Sequence, residues 1–320
     1  MRDGIRIIAT EEHFPSPYGD ASFAQKSEQE RVEEAVKMGK EHIAAMDSTG
    51  VDVQVLSPGS NRKHSVGKED IDFCANTNRF LYDVVRHNPG RLEGFAIVPM
   101  SEPEAAAAEL NHAVTNYGFK GLLMNSNANG KFLDDPKYTP IFAEVARLGV
   151  PIYLHPCPPG KDLFDILYAG NYSQEVAARM STPGWGWHIE TATSLLRLVM
   201  SGLFDRYPKL QIIIGHMGEA IPFMLPRMNR RLTQDLTKLD RTIFEYYREN
   251  VHYTFGGFNY TPTFLNLYMQ MGVDRIMFST DYPHDDPNNP GVDFLFSLPI
   301  CPADRNRIAY QNAEILLNII

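Results

Sequence analysis

Carboxylate and imidazole side chains follow several short apolar runs of the sequence. Glu11 and His13 stand two residues apart near the amino terminus, His155 closes the run Tyr-Leu-His, and Asp281 follows Met-Phe-Ser-Thr. Alternate residues of a strand point to the same side, so Glu11 and His13 can face one point while Glu12 points away. Mixed nitrogen and oxygen donors suit Mn, Zn or Fe. We therefore predict that Glu11, His13, His155 and Asp281 bind one divalent metal ion.

A second kind of site is indicated by His216, which follows another apolar run and precedes Glu219 by three residues. A carboxylate that accepts from one ring nitrogen fixes the tautomer and raises the basicity of the other nitrogen, as an acid or base in catalysis requires. The alternative is a helix cap in which Glu219 complements the helix dipole. Arg227, two helical turns further on, could bind a substrate carboxylate, although surface arginines are common.

These residues need elements that bring them together. The sequence predicts strands that alternate with helices, which favours a parallel sheet closed into a (β/α)8 TIM-type barrel, an α/β fold. Reactive groups of such a barrel lie at the carboxyl ends of its strands. A lone His or Glu near a strand end is more often a cap or a surface group, but four candidates at the same end favour a metal site. The predicted strands are Ile5–Ala9, Val53–Leu56, Gly94–Pro99, Phe119–Met124, Pro151–His155, Leu210–Gly215, Val251–Phe255 and Arg275–Ser279.

The eight strand–helix units fill the 320 residues without an evident linker, so we predict one domain over residues 1–320. The longest departure from the alternation is the segment Pro156–Gly186, rich in proline, glycine and aromatic residues. It is too long for an ordinary connection. We predict a long loop inserted after the fifth strand, on the active-site face, that acts as a lid or a pocket wall.

Composition excludes several classes of partner. A net charge of −9 argues against a nucleic-acid surface. No apolar run approaches the roughly 20 residues that cross a bilayer. The three cysteines are scattered and form no CxxC pair, which fits a reducing compartment, and the amino terminus lacks the pattern of a secretory signal. We expect a cytoplasmic protein that binds a small molecule.

Several motifs together resemble the amidohydrolase superfamily. Within it, the chain is most similar to the nonoxidative aromatic-acid decarboxylases, which include γ-resorcylate, 2,3-dihydroxybenzoate and 5-carboxyvanillate decarboxylases. The hydrolase branch opens with HxH, whereas this chain has Glu11 at the first position. The resemblance covers nearly the whole chain. The matching stretches are Glu11–His13, Tyr153–Pro156, Ser201–Pro208, Gly215–Glu219, Ser279–Pro283 and Asn312–Glu314.

The resemblance implies a division of roles. Glu11, His13, His155 and Asp281 would ligate one divalent metal, with Mn or Zn favoured and Mg also compatible. His216 and Glu219 would line the substrate site. Arg227 would bind the substrate carboxylate, reaching across a subunit interface.

The implied substrate is a benzoate with a hydroxyl group ortho to its carboxylate. Asp281 would protonate the ring carbon before CO2 leaves, which avoids an aryl carbanion. The implied assembly is a homodimer or homotetramer.

Four further residues are candidates for substrate contact. Phe14 and Tyr282 flank predicted metal ligands and could stack on an aromatic ring, with simple packing as the alternative. Arg62 could be a second substrate-binding arginine or a solvent-facing loop residue. His188 adds an imidazole to the predicted pocket wall. The alternative function for the whole site is a hydrolase or hydratase in which Asp281 is the general base for a metal-activated water.

Overall fold

The computed structural model describes residues 4–20, 22–59, 65–128, 130–284 and 290–320. The strands are β1 Ile8–Phe14, β2 Val53–Pro58, β3 Leu92–Ala96, β4 Gly121–Asn125, β5 Asn127–Ala128, β6 Lys131–Phe132, β7 Ile152–His155, β8 Ile212–Ile214 and β9 Val251–Tyr253. A seven-stranded parallel sheet, in the order β1-β2-β3-β4-β7-β8-β9, forms the centre, and a two-stranded hairpin of β5 and β6 lies apart. The order follows the chain, as successive strand–helix units predict.

The segment 276–280 lies between the two edges of this sheet. Ile276 forms a parallel bridge with Tyr253 of β9. On the other side the Thr10 N–H of β1 donates to the Phe278 carbonyl at 3.1 Å. The prediction of a regular eighth strand here was wrong, because the Phe278 N–H donates to the Ile308 carbonyl of the last helical region and not to a strand. The segment nevertheless hydrogen-bonds to both edges, and the fold is α/β of the TIM type.

Strand β1 also differs from its predicted bounds in a way that matters for the site. The prediction ended it at Ala9, whereas the strand continues through the buried residues Glu11 to Phe14. Charged side chains remain in a buried strand only when they have partners, and these have them. A register shift between Ala9 and Glu12 marks a bulge, a device that re-aims side chains near active sites.

Helices cover the outside of the sheet. The longest, α1, begins with a capping box of Ser27 and Glu30 and ends at Gly50, whose φ of 83° is left-handed. The helices are α1 Glu28–Thr49, α2 Lys68–Arg86, α3 Pro103–Tyr117, α4 Thr139–Leu148, α5 Lys161–Leu167, α6 Gln174–Ser181, α7 Gly186–Met200, α8 Leu203–Arg206, α9 His216–Glu219, α10 Ile221–Arg231, α11 Gln234–Thr237, α12 Ile243–Glu249, α13 Thr261–Met271, α14 Gly291–Ser297, α15 Pro302–Asn306 and α16 Asn312–Leu317.

The predicted loop Pro156–Gly186 is not irregular throughout. It contains the short helices α5 and α6, and Gly186 begins α7. Ser173 caps α6 by accepting from the Val176 N–H, which explains why a segment rich in turn residues still forms a helix. Within the described ranges, no helix is both long and apolar enough to cross a membrane.

Candidate active site

The carboxylate of Glu11 is fully buried inside the barrel and held by three hydroxyl groups. Tyr153 donates to its Oε1 at 2.7 Å, while Thr254 and Ser279 donate to Oε2 at 2.5 and 3.2 Å. Burial raises the pKa of Glu11. Gly215 is required beside it, because a Cβ at that position would lie 2.1 Å from Oε1. Three strand ends and the segment 276–280 thus converge on one acidic group.

His13, His155 and Asp281 lie next to Glu11. The His13 Nε2 atom is 3.4 Å from Asp281 Oδ1, and the rings of His13 and His155 are 4.8 Å apart. The ligand atoms of Glu11, His216 and Asp281 all lie within 4.8 Å of one another. The four residues predicted as metal ligands are therefore brought together at the carboxyl ends of the strands.

The nitrogen atoms of this group fit a metal ion. His13 Nε2 and His155 Nδ1 are buried and have no hydrogen-bond partner among the described residues. Burial, and then the neighbouring His13, lower the pKa of His155 well below its ordinary value. A neutral imidazole is the form that binds metal. Ser57 Oγ lies 3.0 Å from His13 Nδ1 and fixes the ring from behind.

His216 and Glu219 form the predicted pair. His216 Nδ1 is 2.8 Å from Glu219 Oε1, and its Nε2 is 3.8 Å from Asp281 Oδ2. The carboxylate also contacts His188, whose Nδ1 is 2.5 Å from Glu219 Oε2. His216, Met217 and Glu219 all have φ between 50° and 58°, an uncommon conformation for residues other than glycine. Such backbone persists only where the surroundings hold it firmly.

Charge is distributed unequally between His216 and Asp281. Burial would lower the pKa of His216, but the carboxylates of Glu219 and Glu11 outweigh it and hold this pKa well above its ordinary value. Burial would raise the pKa of Asp281, but the neighbouring imidazoles of His13 and His216 outweigh it and hold this pKa below the ordinary range. Asp281 therefore sits ionised between two imidazoles.

His188, His216 and Glu219 also lie close enough to hold a metal. The Glu219 oxygens in this group are at hydrogen-bond distance from both Nδ1 atoms, so protons already bridge them. Because His13 Nε2 and His155 Nδ1 have no hydrogen-bond partner among the described residues, the better metal site is the group of Glu11, His13, His155 and Asp281.

A cavity of about 580 Å³ opens beside the predicted ligands. His13 and Asn125 border it, and so do the apolar side chains of Phe14, Phe73 and Leu123. An apolar wall with a few polar groups is typical of a small-molecule site. The cavity can accommodate an aromatic ring next to His13.

Other candidate residues lie in different places. Phe14 borders the cavity. The ring of Tyr282 packs edge-on against His42, with ring centroids 4.9 Å apart. Arg227 is exposed on α10. Arg62 lies outside the described residues, and its role stays a prediction.

The predicted substrate contact of His188 also stays a prediction. Both of its ring nitrogens already have protein partners, since Nε2 lies 3.1 Å from the Pro183 carbonyl and 3.2 Å from Trp187 Nε1. The ring therefore lies against Glu219.

Sequence reasoning missed the residues that hold the predicted ligands. Tyr153 and Ser57 lie in strands and Thr254 directly follows β9, and nothing in the sequence distinguishes their hydroxyl groups until the strands meet. The alternation of residues in β7 offered one signal, because Tyr153 and His155 share a face. Glu12, expected to point away, accepts hydrogen bonds from the N–H groups of Thr280 and Tyr282 on either side of Asp281.

Comparison with known proteins supports the resemblance. The sequence profile of the amidohydrolase family matches residues 26–319. A γ-resorcylate decarboxylase of Rhodococcus jostii is 33% identical over 98% of this chain and 98% of its own. A dihydroxybenzoic acid decarboxylase from Polaromonas sp., solved with bound manganese and the inhibitor 2-nitroresorcinol, has a TM-score of 0.85 and 32% identity, covering 98% of this chain and 97% of that chain.

A 5-carboxyvanillate decarboxylase from Sphingomonas paucimobilis has a TM-score of 0.86 and 29% identity, covering 99% of this chain and 100% of that chain. The chain belongs to the amidohydrolase family. The relatives named here, which match it over nearly their full lengths, are decarboxylases of aromatic acids. The resemblance predicted from the motifs is confirmed.

Proposed function

We propose that the protein is a metal-dependent carboxy-lyase that removes CO2 nonoxidatively from an ortho-hydroxylated aromatic carboxylic acid. The observation that carries this proposal is the position of the Asp281 carboxylate, which lies between His13, a residue of the cavity wall, and His216. We infer that an acid next to His13 can reach a ring bound in the cavity. The decarboxylase activities of the full-length relatives support the same reaction class.

Glu11, His13, His155 and Asp281 would hold one divalent ion, and the manganese in the Polaromonas relative supports Mn, with Zn as the other candidate and Mg compatible. The bound ion would supply positive charge to the carboxylate and hydroxyl oxygens of the substrate. The protein's own residues stabilise the phenolic oxygen and transfer the proton. His216, whose raised pKa keeps its Nε2 protonated, donates toward the phenolic oxygen.

Direct loss of CO2 would leave an electron pair on a ring carbon with no means of delocalising it. Asp281 avoids this by giving a proton to the ring carbon that carries the carboxylate. The new C–H bond interrupts aromaticity, the C–C bond to the carboxylate then breaks, and its electron pair restores the ring as CO2 leaves. Because the lowered pKa of Asp281 favours its ionised form, Asp281 must first take a proton, which the ortho hydroxyl of the substrate can provide.

One observation favours the alternative of a metal-dependent hydrolase or hydratase. The lowered pKa of Asp281 suits a general base that accepts a proton from water. The two functions differ in products. A decarboxylase releases CO2 and incorporates solvent deuterium at one ring position, whereas a hydrolase adds water across a lactone or an amide.

The test is a CO2-release screen of Mn- and Zn-loaded protein with 2,3- and 2,6-dihydroxybenzoate and 5-carboxyvanillate, analysed for deuterium in D2O. We expect release from at least one acid, with loss of ~10²-fold or more in Asp281→Asn that still binds metal. Asp235→Asn, an exposed change on α11, is the matched control and keeps full activity. No release from any acid, together with turnover of a lactone panel, would establish the alternative.

The proposal also includes the assembly of the protein, the contact of Phe14 with the substrate and the cellular location. Arg227 is exposed on α10 beside Phe223, which is 75% exposed, so this face can pair with a second copy of the chain. We propose a homodimer or homotetramer in which Arg227 binds the substrate carboxylate of the neighbouring site. Phe14 stacks on the ring, and the protein acts in the cytoplasm.

A further inference from the structure

Glu219 is shared between two histidines. Its side chain is fully buried, with Oε1 2.8 Å from His216 Nδ1 and Oε2 2.5 Å from His188 Nδ1. The two imidazole rings are 4.8 Å apart at 70°, and the ring of Phe258 packs edge-on against both. Both oxygens of one carboxylate are thus occupied, each by a different ring.

The carboxylate of Glu219 defines the direction of both hydrogen bonds. A carboxylate can only accept, so the Nδ1 atom of His188 donates to Oε2 and the Nδ1 atom of His216 donates to Oε1. The Nε2 atom of His188 lies between a donor, Trp187 Nε1 at 3.2 Å, and an acceptor, the Pro183 carbonyl at 3.1 Å. The Nε2 atom of His216 faces Asp281. One chain of hydrogen bonds thus runs from His188 through Glu219 to His216.

We propose that His188 is a positioning residue for the reaction, acting on His216 through Glu219. A carboxylate with a single partner can rotate about its last side-chain bond, whereas one held at both oxygens cannot. The left-handed backbone of His216 and Glu219 needs such additional support. The inference deepens the proposed decarboxylase, because an oriented His216 is what stabilises the phenolic oxygen there.

His188 also links His216 to the segment that precedes α7. It lies in the first turn of α7, directly after the segment 156–186 that contains α5 and α6. Pro183 of that segment contacts its Nε2 atom at 3.1 Å. The orientation of His216 is therefore tied to the end of this segment as well as to β8, the strand that precedes it.

Two variants separate hydrogen bonding from volume. His188→Asn places an amide N–H where Nδ1 stands and retains the donor, while His188→Phe retains the ring and removes the donor. We expect His188→Phe to lower kcat about tenfold with KM changed much less, and His188→Asn to recover most of kcat. His112→Asn, an exposed change on α3, is the control and leaves both constants unchanged.

A measurement without substrate completes the test. Nitrogen-15 NMR of ring-labelled histidine should show His216 as protonated at Nδ1 in the wild type and in His188→Asn, with its Nδ1–H signal broadened or shifted in His188→Phe. Unchanged kinetics and spectra in His188→Phe would overturn the proposal. So would equal losses in both variants with lowered thermal stability and an unchanged His216 spectrum. If the wild type releases no CO2 from any acid, the proposed function fails while the spectra still decide the inference.

Discussion

At the scale of single residues, three hydroxyl groups hold the buried carboxylate of Glu11, the proposed metal ligand. Tyr153 is fully buried and its phenol donates to Glu11 Oε1 at 2.7 Å. Tyr153→Phe removes this donor and leaves the ring packing intact. Because hydrogen bonds to charged groups are the stronger ones, we expect a loss of about 1.5–3 kcal/mol in the free energy of unfolding. Loss of a residue that orients a ligand should also weaken Mn binding about 10–100-fold in calorimetric titration.

Tyr253→Phe is the matched control for this change. Tyr253 is equally buried, and its hydroxyl donates to the Tyr247 carbonyl at 2.8 Å, away from the carboxylates. It should cost about 0.5–1.5 kcal/mol of stability and leave the Mn affinity unchanged. Equal Mn affinity in Tyr153→Phe and Tyr253→Phe would contradict the assigned role of Tyr153.

The sequence predicted the residues that carry charge better than those that orient them. Glu11, His13, His155 and Asp281 were predicted to converge because the carboxyl ends of the strands in a barrel meet at one face, and the structure places them together. Their supports are hydroxyl and glycine residues, which are common in any strand. The partnership of His188 with Glu219 could not be predicted, since it joins residues 31 positions apart on α7 and α9.

At the scale of secondary-structure elements, Glu12 ties β1 to the segment that carries Asp281. Its Oε1 accepts from the Thr280 N–H at 2.7 Å, and its Oε2 accepts from the Thr280 hydroxyl at 2.6 Å and the Tyr282 N–H at 3.1 Å. Asp281, between these two residues, has a left-handed φ of 62°. In Glu12→Gln, the side-chain NH2 group faces the N–H and hydroxyl donors of Thr280 and Tyr282, so that donor meets donor. We expect a loss of about 2–4 kcal/mol in chemical unfolding and weaker Mn binding, because Asp281 is no longer held.

Thr280→Val is a milder change for comparison, because it removes only the hydroxyl group that donates to Glu12 and retains the side-chain volume. We expect a loss of about 1–2 kcal/mol and a smaller decrease in Mn affinity than for Glu12→Gln. Glu41→Gln, an exposed change on α1, should alter neither quantity. The role of Glu12 would be disproved by Glu12→Gln protein with wild-type Mn affinity.

The elements themselves were predictable to different degrees. The predicted run Val53–Leu56 lies within β2, because three of its four residues are apolar, as is typical of a parallel strand covered on both faces. The end of β1 was missed because Glu11 and His13 are charged or polar, and only their buried partners keep them in the strand. The run Arg275–Ser279 was predicted as a strand from its apolar residues, but the Phe278 N–H donates to the Ile308 carbonyl.

At the scale of the whole molecule, stability in acid also depends on buried groups that make no contact with the proposed metal ligands, and His252 of β9 is one of them. Its Nε2 accepts from Arg275 at 3.1 Å, while its buried Nδ1 has no partner within the described ranges. Burial, and then the charge of Arg275, lower the pKa of His252 to about 3. The unfolded chain takes up this proton near the ordinary value of about 6.5. Neutral His252 therefore stabilises the fold fully above that pH, and this contribution is lost as the pH falls toward 3.

His252→Gln keeps an acceptor for Arg275 and cannot be protonated. We expect the unfolding free energy of the metal-free variant, measured in urea between pH about 7 and about 4.5, to fall less steeply than that of the wild type, by up to about 1.4 kcal/mol per pH unit. His112→Gln, exposed on α3, should retain the wild-type slope. Since the acidic groups of the active site are the same in all three proteins, their contribution cancels in the comparison. Identical slopes for His252→Gln and the wild type would mean that the folded chain already accommodates a proton on His252.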